Sequence, residues 1–122
     1  MHELSLTQGV VDTITDRLGE RRVTMVRLEI GKLSGVVVDS VRFCFDLVVD
    51  GTPLEGARLE IVEPGGRARC RDCSVSFASD DPILLCPCGS SDVEVLAGTE
   101  LLIKAIRLAP GEVVGDVRDL RV

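Results

Sequence analysis

The sequence predicts an α+β fold: two helices on a three-stranded sheet, with a zinc-ribbon-like module inserted before the last strand. Three observations carry that expectation. Apolar residues near the start recur with helical spacing, segments further on alternate as strands do, and four cysteines fall in two close pairs between those segments.

The elements follow in order. Ser5 and Gln8 have the spacing of a capping box, and Leu6, Val10, Ile14 and Leu18 step by four along one face. A helix over 5–18 is expected, stopped by Gly19. From Val23 to Ile30, Val26, Leu28 and Ile30 face one way and Arg27 and Glu29 the other, the pattern of a half-buried strand. Gly31-Lys-Leu-Ser-Gly35 reads as a loop. Asp39 or Ser40 is placed to cap a second helix running to about Val49 and ended by Asp50-Gly51, although Val41, Val48 and Val49 would serve a strand equally well. Ala57–Val62 is a strand candidate broken by Pro64-Gly-Gly66, and Leu101–Leu108 is a strongly apolar strand returning to the first unit. The implied organisation is an α+β unit of residues 1–65 plus 98–109, a cysteine module over 66–97, and a flexible or weakly docked tail over 110–122.

The module carries the first chemical signal. Cys70-Arg-Asp-Cys73 and Cys86-Pro-Cys88 are separated by twelve residues. Zn(II) favours a tetrahedron of thiolates, and two cysteines in one turn supply a pair of them. Gly89 and Ser90 suit a turn that aims N–H groups at the sulfurs. The module's few apolar side chains, Phe77, Ile83, Leu84 and Leu85, could not fold it unaided, so the metal must supply much of its stability. With four sulfur donors and no histidine nearby, the expected role is structural: a catalytic zinc keeps an open position and a base beside it. A redox dithiol is disfavoured because no βαβ unit surrounds Cys70 and Cys73. Cys44, set between Phe43 and Phe45, reads as a small buried hydrophobe, and Asp80-Asp81 as solvated loop charge.

Composition narrows the function classes. The chain has 122 residues, 20 acidic and 14 basic side chains, and a formal net charge of −6; zinc held by four thiolates takes that to about −8. Affinity for nucleic-acid phosphate or anionic lipid rests on clustered cations, which argues against both partners. With three Phe and neither Trp nor Tyr, a surface that stacks single-stranded bases is excluded. The small strip Arg67, Arg69 and Arg71 is what a nucleic-acid-binding ribbon would build on. The one histidine is terminal, so no Ser/His/Asp set can be built on it, and no Gly-rich phosphate loop followed by Lys is present; the chain is expected not to be an enzyme. No apolar run approaches the roughly 18 residues of a membrane helix, and Met-His-Glu lacks the basic start of a secretory signal. The expected location is the cytoplasm.

The N-terminus carries the second signal. A lone surface histidine usually means nothing, but His2 stands beside the α-amine. The Met1 amine, the amide and imidazole of His2, and the amide of Glu3 can close fused chelate rings with four nitrogens in one plane. That donor set suits Ni(II) or Cu(II) better than Zn(II). Glu3 adds a carboxylate able to shield the site or bind axially, or simply to favour the start of the first helix. A bulky second residue disfavours removal of Met1, which would keep its amine available.

With both signals present, the chain resembles the HypA/HybF family of hydrogenase maturation factors. The matching stretches are Met1-His-Glu-Leu-Ser-Leu6, Leu28-Glu-Ile-Gly-Lys-Leu-Ser-Gly35, Phe43-Cys-Phe-Asp46, the four cysteines with Cys88-Gly-Ser90, and Gly98 to Leu108. The resemblance spans residues 1 to about 108. It implies a nickel metallochaperone that delivers Ni(II) to [NiFe]-hydrogenase large-subunit precursors together with a nickel-insertion GTPase, and in some organisms also serves urease. It further implies transient nickel at Met1, His2 and Glu3 and structural zinc at Cys70, Cys73, Cys86 and Cys88. Many relatives have CxxC in the second pair, where this chain has Cys86-Pro-Cys88, and the tail after Leu108 lies outside the shared pattern. The alternative reading is a zinc-ribbon interaction module or adaptor with no nickel role; a homodimer is compatible with either.

Overall fold

The computed structural model describes residues 3–110 and the backbone of 113–115. Helix α1 spans Glu3–Leu18 and buries Leu6, Val10, Val11 and Ile14 along one face. The expected capping box does not form. Ser5 lies inside the helix, and the Gln8 amide donates instead to Asp12 Oδ1 at 2.9 Å, one turn on. Thr7, fully buried, places its hydroxyl against the carbonyls of Glu3 (2.9 Å) and Leu4 (3.0 Å), so its polar atom is satisfied within the helix. The helix stops where expected: Gly19 takes φ 63°, and its N–H donates to Thr15 O.

Strand β1 (Val23–Ile30) buries Val26, Leu28 and Ile30 and leaves Arg27 exposed, as the alternation requires. Helix α2 (Val38–Val48) begins earlier than its sequence signals suggest. Neither Asp39 nor Ser40 caps it; the N-cap is Val37, which has no side chain able to bond the first turn. Asp39 sits inside that turn, where its charge complements the helix dipole. Val41, Phe45 and Val49 face the core. Because α2 connects β1 to the parallel strand β2 (Arg58–Val62), these elements make a βαβ unit, paired from Met25↔Arg58 to Glu29↔Val62.

The chain then builds a separate three-stranded antiparallel sheet from β3 (Gly66–Cys70), β4 (Ser76–Ser79) and β5 (Val93–Ala97), in the order β4-β3-β5. It returns as β6 (Leu101–Leu108), antiparallel to β1. The main sheet, expected with three strands, has a fourth. Val113–Gly115, within the segment read as a tail, forms β7 against β6, with Arg107↔Val113 and Ala105↔Gly115 as partners. Its order is β2-β1-β6-β7, and α1, α2, β1 and β6 share one continuous core.

The loop after β1 joins the two sheets. Lys32 N–H donates to Pro64 O (3.0 Å) and Leu33 N–H to Gly98 O (2.8 Å), so one short loop grips both chain connections to the second sheet. The backbones approach closely enough that side chains are excluded. A Cβ on Gly31 would lie 2.0 Å from Gly98 O, and one on Gly66 would lie 2.3 Å from the Leu33 side chain. Lys32 Nζ pairs with Asp80 Oδ2 at 3.3 Å, an exposed contact worth little beside the backbone bonds. Gly31→Ala is expected to cost about 2 kcal/mol or more, since the added methyl meets backbone that cannot move aside. Ser76→Ala, on an exposed strand position, should change stability by no more than about 0.5 kcal/mol; urea unfolding of the two variants checks the contrast.

Candidate metal centre

The two cysteine pairs come from opposite ends of the second sheet's connections. Cys70 ends β3, and Cys73 closes the turn that follows. In that turn Ser74 adopts φ 65° and returns its N–H to Cys70 O, while Cys73 N–H points at Cys70 Sγ (3.4 Å). Cys86 and Cys88 lie on the loop before β5. Gly89, at φ 95°, donates to Cys86 O, and Cys86 N–H bonds Ser90 O. The N–H aimed at sulfur in this second turn is that of Cys88 (3.5 Å to Cys86 Sγ). Gly89 and Ser90, expected to supply such bonds, close the turn through backbone carbonyls and the Ser90 hydroxyl. With one residue fewer between the cysteines, the turn closes at Gly89.

The four sulfurs lie within 4.8 Å of one another, with Cys70–Cys88 at 3.7 Å and Cys73–Cys86 at 3.5 Å. A tetrahedron of zinc–sulfur bonds of about 2.3 Å has edges of about 3.8 Å. Four convergent soft donors at that spacing fit Zn(II), including the short CxC pair. Cys70 and Cys86 are buried, and Cys73 and Cys88 are exposed.

Two side-chain bridges tie the turns together, and sequence reasoning missed both. Asp72 accepts a hydrogen bond from the Ser90 hydroxyl, and Ser90 Oγ in turn accepts Asp92 N–H. Arg71 reaches Asp92 Oδ1 (2.9 Å) and Val93 O (3.0 Å). The Asp inside the first turn and the Ser and Asp after the second were the available signals. Arg71 is thereby committed within the site, which leaves the expected basic strip with Arg67 and Arg69 alone.

The thiols perturb one another. Cys73 N–H, the largest influence on Cys70, draws its pKa down to about 7 against burial, with help from Asp72 N–H and the neighbouring thiols. At Cys86 the Cys88 N–H favours the thiolate, but burial and the Cys88, Cys73 and Cys70 thiols outweigh it and push the pKa up to about 12. Cys73 is also raised: the Val75 N–H and Cys86 favour its thiolate, and burial with the Cys70 and Cys88 thiols opposes them. Four sulfurs this close cannot all ionise without a cation between them.

The other sequence candidates fall elsewhere. Cys44 is half-buried on α2 rather than enclosed, because Phe45 takes the core position beside it while Phe43 points outward, 68% exposed. Asp80 pairs with Lys32, and Asp81 Oδ1 accepts Ile83 N–H, so both serve the loop. Met1 and His2 lie outside the described residues. Glu3 opens α1, and its carboxylate accepts a 3.3 Å hydrogen bond from Val37 N–H at the start of α2.

Comparison with known proteins points in one direction. Residues 1–108 match the family model described as "Hydrogenase/urease nickel incorporation, metallochaperone, hypA". The chain is 45% identical over 108 residues to a hydrogenase maturation factor HypA of Nostoc punctiforme, covering 88% of this chain and 96% of that protein. It is 49% identical over 109 residues to the one from Geotalea uraniireducens, covering 88% and 99%. The solution structure of the Ni metallochaperone HypA from Helicobacter pylori superposes with a TM-score of 0.61 at 21% identity, over 88% of this chain and 97% of that one. At that identity the superposition speaks for the fold.

Because a metal site needs thiolates, the raised thiols of Cys73 and Cys86 must lose their protons on binding. Zinc uptake at pH 7.5 is therefore expected to release at least two protons, with apparent affinity rising with pH. Calorimetry of the metal-free protein in buffers of different ionisation enthalpy measures that number, and uptake without proton release would contradict the thiol assignment.

Proposed function

Since the chain belongs to the HypA family of hydrogenase/urease nickel-incorporation metallochaperones, we propose that it binds Ni(II) at its N-terminus and delivers it during maturation of [NiFe]-hydrogenase. The match of residues 1–108, which includes the Met-His-Glu opening, is the observation that carries this reading. The proposed nickel ligands are the Met1 amine, the amide and imidazole of His2, and the Glu3 backbone nitrogen. The described geometry supports that choice in one respect. Glu3 opens α1, and amides of a helix's first turn have no acceptor within the helix, so nickel can take a nitrogen there without breaking the helical ladder.

Zn(II) at Cys70, Cys73, Cys86 and Cys88 is proposed as the resident structural metal, and Ni(II) as cargo. When bound, zinc supplies charge that stabilises four thiolates and crosslinks the two turns; Asp72, Ser90, Arg71 and Asp92 hold those turns together. The corresponding division of labour is a nickel-binding unit of residues 1–65 plus 98–109, a zinc module of 66–97, and a terminal segment of 110–122. Partners proposed by family likeness are the hydrogenase large-subunit precursor and a nickel-insertion GTPase, in the cytoplasm. Among the described residues no helix is long and apolar enough to cross a membrane. No catalytic role is assigned. A zinc-ribbon adaptor without nickel gains little from Arg67 and Arg69, two exposed guanidiniums on a chain of net charge −6.

Nickel titration of protein with an unextended N-terminus is expected to show one Ni(II) per chain, lost in His2→Ala and in a form with extra N-terminal residues. Affinity should fall steeply from about pH 7.5 to 6, because amine, amides and imidazole bind only when unprotonated. Equal binding in all three forms would place nickel elsewhere; a flat pH profile would contradict the nitrogen donor set.

A further inference from the structure

Helix α2 starts without a side-chain cap, and a residue from another helix takes up the N–H of its N-cap residue. Its N-cap, Val37, adopts the extended conformation of a cap (φ −84°, ψ 107°) but has no side-chain oxygen to offer the first turn. In a capping box, the residue three positions on from the cap reaches back with a carboxylate to the cap's own N–H. That position here is Ser40, which makes no such bond. The Glu3 carboxylate performs the task across 34 positions of sequence, accepting Val37 N–H at 3.3 Å. A negative charge at that point is also favoured by the dipole of α2.

The same residue is held from its other side. Glu3 O accepts the hydroxyl of Thr7 at 2.9 Å, and Thr7 is fully buried. One end of Glu3 is thus fixed to the core through α1 and the other to the start of α2. The peptide preceding it is the stretch proposed to wrap nickel. A chelate built from consecutive backbone nitrogens loses affinity if its residues must first be ordered, and prior ordering removes that cost.

We infer that the Glu3 side chain is a positioning residue for the N-terminal nickel site, acting through its hydrogen bond to the Val37 N–H at the start of α2 and not as a metal ligand. This inference rests on the proposed function above. It predicts that Glu3→Ala weakens Ni(II) binding about tenfold and speeds hydrogen exchange at the Val37 amide, while the visible absorption bands of bound nickel keep their positions, because the donor atoms are unchanged. Glu3→Gln retains an acceptor oxygen and should recover part of both losses. Val37→Pro removes the donor instead of the acceptor, at an exposed position whose φ proline tolerates. It should weaken nickel binding as Glu3→Ala does, with no further loss in the double variant.

The experiment is a nickel titration of these variants, all with unextended N-termini, alongside His2→Ala and with absorption spectra and amide exchange recorded. Unaltered affinity in both Glu3→Ala and Val37→Pro overturns the positioning role while leaving the terminal chelate standing. A shift of the nickel absorption bands in Glu3→Ala overturns it differently, by making the carboxylate a ligand. Additive losses in the double variant would also contradict it. Nickel binding that survives His2→Ala counts against the terminal chelate itself, and with it the inference.

Discussion

The close passage of three backbone segments between the two sheets is the constraint on which the rest of the molecule depends. The loop after β1 runs so near both connections to the second sheet that Gly31 meets Gly98 and Gly66 meets Leu33 with no room for a side chain. The bonds from Lys32 and Leu33 to Pro64 and Gly98 then fix the crossing. Backbone bonds of this kind are directional, and the glycines that permit them have no adjustable substitute. What the junction provides is a defined placement of the cysteine-bearing sheet against the end of β1, the strand at the centre of the main core.

The proposed zinc and nickel sites differ in donor type. The cysteine cluster is built of soft donors converging from two turns braced by Arg71, Asp72, Ser90 and Asp92. An arrangement with all its donors committed holds a metal for structural purposes and gives it up slowly. The amine, amides and imidazole proposed for nickel would be harder donors, the character required of a site that must both take and release its cargo. Family membership and the physical contrast between the two donor sets therefore support the same assignment of zinc and nickel.

Much of this was legible in the sequence for local reasons. Alternation in Val23–Ile30 reports burial on one sheet face, the apolar run Leu101–Leu108 reports a strand in the core, and the structure places both strands with those bounds. Gly19 ends α1 because its left-handed conformation suits glycine. The four cysteines announced themselves through spacing. What escaped depends on partners distant in the chain. Val37 is the N-cap of α2 and its own N–H is taken up by Glu3 of α1, so Asp39 and Ser40 were misleading. Ser5 and Gln8 have capping-box spacing, yet the helix already starts at Glu3. Strands β3 to β5 are short, and the Gly and Arg of β3 and the Ser of β4 carry little strand signal until pairing with each other defines them. The braces across the cysteine turns likewise join residues about twenty positions apart.

Nickel and zinc are proposed to occupy different donor sets in one chain. X-ray absorption at both metal edges, on protein with an unextended N-terminus carrying one nickel and one zinc, tests it most directly. The expected result is a zinc shell of four sulfurs at about 2.3 Å and a nickel shell of nitrogen and oxygen alone. Sulfur in the nickel shell would place the cargo in the cysteine cluster and overturn the separation of the two sites.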